Sequence, residues 1–163
     1  MKKAVKKVKK AYDPAFRKYV KNLCAALRKT FFAGEYNLDV CWCKEAVREP
    51  GEEIRGEVRA SISLDPRYLD CTIHVHQPVY DLWKNNDLYG VGRVIVHEFS
   101  HILIDPVYFE GVKGVSKERS EMMDDIRERQ TQRVANVVWE LLPAKVWNNK
   151  NGYASIKNKR RRK

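Results

Sequence analysis

The stretch from Val91 to Ile104 is apolar at most positions, yet it carries His97, Glu98 and His101 in its middle. Val91, Val94, Ile95, Phe99, Ile102 and Leu103 recur at helical spacing, and Asp87 can cap the start. With Val96 and Ile104 added, apolar side chains surround the ionisable ones almost all round, so the pattern predicts a central, deeply packed helix. Burying two imidazoles and a carboxylate there is costly unless something pairs with them. A metal ion offsets that cost. His97-Glu98-Phe99-Ser100-His101 fits H-E-x-x-H. Residues four apart share a helical face at about 5 to 6 Å between Cβ atoms, so both imidazoles can converge on one zinc ion. Random ordering of a chain with four His and twelve Glu gives this pattern about once in 200 chains, before asking that it fall in a helix.

Glu98 is rotated by one residue from His97 and cannot easily ligate the same ion. It can instead reach a water held by the metal. Zinc lowers the pKa of that water toward about 7, and the carboxylate can take its proton and pass it to a leaving amine. The expected activity is therefore metal-dependent hydrolysis with Glu98 as general base. A catalytic zinc needs a third protein ligand and an open position. No His follows His101, and His74 and His76 lie upstream, so the third ligand is expected to be a carboxylate. Glu110, Glu118, Glu121, Asp124, Asp125 and Glu128 are the candidates. Glu128 is the first choice, because it sits two turns before Ala135 on the flank of a buried stripe. Glu121 comes next, and Glu110 is a further alternative.

The surrounding sequence reads as α+β. Asp13-Pro14 opens an N-terminal helix with Phe16, Tyr19, Val20, Leu23, Cys24 and Leu27 on its apolar face, ending near Thr30. Three strands follow, at 36–43, 56–64 and 70–77, the second with the cleanest alternation. A turn is expected around Pro50-Gly51. Short connections suggest an antiparallel sheet with one buried face. The segment around Pro78, Asn85 and Asn86 reads as a loop. Pro106 is expected to stop the central helix near Ile104, leaving Asp105 to Val115 as a surface loop. Ser116 can cap a last helix running toward Pro143, with Ile126, Val134, Val137, Val138 and Leu141 on its buried side.

Length and charge bound the rest. At 163 residues the chain is expected to form one domain over 1–163. The net charge of +11 is unevenly spread. The first thirty residues hold eleven Lys or Arg and one acid, and the last twenty hold eight and none; the centre keeps 13 basic against 20 acidic residues. Segments 1–10 and 155–163 read as solvated basic arms that can contact a polyanion such as DNA or RNA. No apolar run follows the Lys-rich start, and none reaches about 18 residues, so no membrane association and a cytoplasmic location are expected. Cys24, Cys41, Cys43 and Cys71 should then stay reduced. Cys41 and Cys43 point to one face of a strand but lack a matching second pair, which weakens a metal reading there.

Val94-Ile-Val-His97-Glu98-Phe-Ser-His101-Ile-Leu-Ile, followed by Glu128-Arg-Gln-Thr-Gln-Arg-Val134-Ala135, resembles the minimal gluzincins. In particular it resembles small zinc metallopeptidases encoded by bacteriophages and other mobile elements. The resemblance covers about residues 35 to 142. It implies a minimal zincin-like fold, Zn2+ held by His97, His101 and Glu128, a protein or peptide substrate, and a location in the host cytoplasm. Larger gluzincins often carry an Asp four residues after the ligand Glu, as partner to a His ligand. This chain has Gln132 there. The resemblance also implies a substrate extended along an edge strand, for which 70–77 is the best candidate, with His74 and His76 facing the cleft. Tyr80, Tyr108 and Arg133 are candidate donors to the transition state. The alternative reading is a nucleic-acid-associated protein whose basic tails dominate, with the zinc structural or acting on DNA-bound proteins.

Overall fold

The computed structural model describes residues 12–31, 34–43, 59–65 and 67–148. The basic segments 1–10 and 155–163 and the expected Pro50-Gly51 turn lie outside the described residues. The fold is α+β. In chain order it runs α1 (Pro14–Thr30), β1 (Asn37–Trp42), β2 (Ala60–Asp65), β3 (Asp70–Val75), α2 (Gln77–Lys84), α3 (Leu88–Gly111), α4 (Lys117–Leu141) and a single turn, α5 (Ala144–Trp147).

Asp13 caps α1 by accepting the Ala15 N–H at 2.7 Å, and the expected apolar face is buried along its whole length. Tyr12 and Phe16 lie against Trp42 of β1, and Phe31 lies against Phe99 of α3. Cys71, Ile73 and Val75 form the buried face of β3, as their alternation requires. The core therefore lies between one face of the sheet and the helices α1, α2 and α3.

The sheet is mixed rather than antiparallel. Its order is β1-β3-β2, with β1 parallel and β2 antiparallel to β3. A parallel pair needs a connection of a dozen or more residues. The seventeen residues between Trp42 and Ala60, and β2 itself, supply that length between β1 and β3. This order makes β3 the central strand. The expected edge at 70–77 is thus corrected: among the described residues β2 is an edge, and it shares a cleft with α3 and α4.

Three helical features also differ from expectation. The segment after His76 is a helix, α2, because Pro78 occupies a first-turn position where its missing N–H costs nothing, while Val79 and Trp83 bury one turn apart. The central helix does not stop at Ile104 but runs through Pro106 to Gly111. Packing against α4 outweighs the lost hydrogen bond: Tyr108 donates to Asp124 at 2.7 Å, and Arg127 stacks over the Tyr108 ring at 4.9 Å. Gly114, at φ +75°, turns the chain into α4, which Ser116 caps as expected. The buried stripe of α4 is Thr131, Ala135 and Trp139, with Val134 and Val138 half-buried; Ile126, Val137 and Leu141 are exposed. The stripe follows close helix contact. A Cβ at Gly92 would sit 2.7 Å from the Trp139 ring, so α3 and α4 approach over a glycine. No helix among the described residues is long and apolar enough to cross a membrane.

Candidate metal centre

α3 presents His97, Glu98 and His101 to a cleft of about 540 Å³, whose other walls are β2 and α4. Helical spacing does the first part of the work: the two imidazole centroids lie 5.2 Å apart. Glu128 reaches in from α4. Its two carboxylate oxygens face different rings, Oε2 at 3.5 Å from His97 Nε2 and Oε1 at 3.7 Å from His101 Nε2. One ligand atom from each residue falls within 4.8 Å of the others. A tetrahedron with zinc–ligand distances near 2.0 to 2.1 Å has edges of about 3.3 to 3.4 Å, so a small contraction would close these three around zinc.

The other ring nitrogens are anchored. His101 Nδ1 lies 2.9 Å from Asp105 Oδ1, both residues being buried, with Thr131 Oγ1 at 3.4 Å. His97 Nδ1 lies 3.2 Å from Gln132 Oε1. Gln132 in turn donates through Nε2 to Asn136 Oδ1 at 2.9 Å, which also accepts from Arg93 at 2.6 Å. That chain turns the amide oxygen of Gln132 toward the ring. Acceptors at both Nδ1 atoms favour protons there, the tautomer that would offer both Nε2 lone pairs to a metal beside Glu128. Gln132 thus offers with an amide the acceptor that larger gluzincins offer with a carboxylate. Asp105 was missed because Pro106 suggested that the helix had ended. Four residues after His101, Asp105 lies on the same helical face, which was the available signal.

The alternatives for the third position are placed elsewhere. Glu110 is in the last turn of α3 and pairs with Lys113 at 2.6 Å. Glu121 lies two turns before Glu128 and pairs with Lys117 at 3.9 Å. Neither lines the cleft, and neither do Tyr80, Tyr108 or Arg133. The cations at the cleft are Arg59, Arg93 and Arg127. Arg127 was missed by sequence reasoning. It contacts Glu128 Oε1 at 3.0 Å and Asp105 Oδ2 at 3.9 Å. His74 and His76 also lie away from the cleft. His76 is buried just before α2, and His74 sits against Cys43.

No family model, curated protein or solved structure matches the chain.

In the metal-free site the charges oppose one another. Contact with His97 holds the Glu128 carboxyl down to about 2, while Glu128, against the effect of burial, raises the His97 imidazole. Burial pushes Glu98 up to about 6 from its ordinary 4.5, although both imidazoles pull it down. A folded carboxyl that binds its proton more tightly than the unfolded one loses stability as pH rises from about 4.5 through 6. The cost above that window is about 2 kcal/mol. Glu98→Gln should therefore stabilise the chelated, metal-free protein by about 2 kcal/mol at pH 8, with little difference below pH 4.5. Urea denaturation of both proteins at the two pH values measures this. Equal stability at pH 8 would mean that Glu98 is not strained by burial.

Proposed function

We propose that the chain is a zinc-dependent peptidase of the minimal gluzincin type, with His97, His101 and Glu128 as zinc ligands and Glu98 as general base. The observation that carries this reading is the convergence of two anchored imidazoles on the two oxygens of Glu128, beside a buried Glu98, at the wall of an open cleft. Two imidazole nitrogens and a carboxylate suit zinc, and three protein ligands leave a position for a reacting molecule. When bound, zinc supplies Lewis acidity, activating water and polarising the carbonyl to be cleaved. Glu98 takes the proton from the attacking water and returns it to the leaving nitrogen. Its carboxyl, raised by burial toward neutrality, suits both transfers. Arg127, which lines the cleft beside Glu128, is the cation best placed to balance charge developing on the carbonyl oxygen.

The arrangement of β2 supports an extended peptide as substrate. The Arg59 carbonyl accepts the His76 N–H at 3.1 Å, so Arg59, Ser61 and Ser63 turn their backbone groups toward β3. Ala60 and Ile62 turn theirs the other way, and both line the cleft. An extended peptide can add there as a further strand, which brings its backbone past Glu98. The test is hydrolysis of labelled casein by the purified chain. Activity should be lost on chelation and regained with zinc. Ile62→Pro removes one outward N–H without a ladder bond, and should raise KM about five- to tenfold, while Ile62→Val should not. Hydrolysis that survives chelation would overturn the proposal.

A further inference from the structure

Cys41 and His74 are cross-strand partners in the parallel register of β1 and β3. Cys43 follows two residues on, with its N–H bonded to the Val75 carbonyl at 2.9 Å, so its side chain shares the Cys41 face. That face is opposite the one carrying Ile73 and Val75 into the core. The two sulfurs lie 3.8 Å apart, and Cys43 Sγ lies 3.9 Å from His74 Nδ1. All three donor atoms fall within 4.8 Å of one another, and all three residues are half-buried. From β2, Ser63 Oγ lies 3.1 Å from His74 Nε2, on the far side of the ring.

We infer that Cys41, Cys43 and His74 form a second zinc-binding site that joins β1 to β3. A tetrahedron with zinc–sulfur distances of about 2.3 Å and zinc–nitrogen of about 2.0 to 2.1 Å has a sulfur–sulfur edge near 3.8 Å and a sulfur–nitrogen edge near 3.6 Å. The observed separations are close to both. Ser63 acts as the orienting partner: accepting the Nε2 proton leaves the Nδ1 lone pair facing the thiols. On binding, Zn2+ displaces one proton from each thiol, so two zinc–thiolate bonds form and two protons enter solvent, with water in the fourth position. A disulfide suits the geometry less well. Residues two apart on a strand have Cα atoms about 6.6 Å apart, near the upper limit for that bond. The missing second cysteine pair is replaced by a histidine from the neighbouring strand, a ligand that linear spacing conceals. The site shares no residue with the cleft lined by His97, Glu98 and His101.

Cobalt(II) titration of the full, reduced chain tests the site, because only thiolate ligation gives the near-ultraviolet sulfur-to-cobalt charge-transfer band. The band should saturate at one cobalt per chain, persist in His97→Ala/His101→Ala, and vanish in Cys41→Ser/Cys43→Ser. In the unaltered chain, zinc should slow alkylation of Cys41 and Cys43 at least tenfold, as read by mass spectrometry. Absence of the band, its survival in the double serine variant, or alkylation indifferent to zinc would each overturn the inference.

Discussion

Glu98→Gln should keep its zinc and lose hydrolysis by about 10²- to 10⁴-fold, the usual range for removal of a general base. The amide has almost the same shape as the carboxylate, and Glu98 is outside the group formed by His97, His101 and Glu128, so metal affinity should stay within a small factor. The loss should fall on kcat rather than KM, because the carboxylate acts on the proton in flight and not on peptide binding. The same substitution should strengthen the metal-free fold at pH 8, because it removes a buried carboxylate charge. Weaker catalysis combined with a more stable scaffold separates a strained catalytic group from a structural one. A variant that lost zinc together with activity would make Glu98 a ligand rather than a base.

Glu128→Ala should weaken zinc binding at the cleft by more than about 10²-fold, since loss of a mere orienting partner already costs about 10- to 100-fold. Hydrolysis should fall with it at limiting zinc. Glu121→Ala and Glu110→Ala should change neither quantity, because those carboxylates pair with Lys117 and Lys113 away from the cleft. Gln132→Ala and Asp105→Ala should fall between, each freeing one ring from its anchor. Competition with a chromophoric chelator measures all five, using the Cys41→Ser/Cys43→Ser background so that only the cleft is counted. Full affinity in Glu128→Ala would remove it as a ligand.

Several elements were legible because their signals are local. Asp13-Pro14 marked the start of α1, the alternation through Cys71, Ile73 and Val75 set the buried face of β3, and Ser116 marked the start of α4. Of the carboxylates considered for the third position, Glu128 is the one that the fold brings to the two histidines. What escaped depended on tertiary packing. Strand order follows from where a long connection lands, which alternation does not encode, so the mixed sheet and the edge role of β2 could not be read. Pro106 was read by its backbone preference, and contacts of Tyr108 and Arg127 with α4 outweighed it. That single misreading also hid Asp105. Thr131 interrupts the apolar pattern of α4 and is nonetheless buried, because it stands next to His101. Gln132, where larger gluzincins carry an acid, supplies the same acceptor to His97.

Zinc held by His97, His101 and Glu128 can be located by an anomalous difference map collected at the zinc absorption edge from crystals grown without chelator. A peak is expected within bonding distance of His97 Nε2, His101 Nε2 and a Glu128 oxygen, with Glu98 beside it and not bonded to it. A map with no peak in the cleft, from protein supplied with zinc, would overturn the assignment of these three ligands.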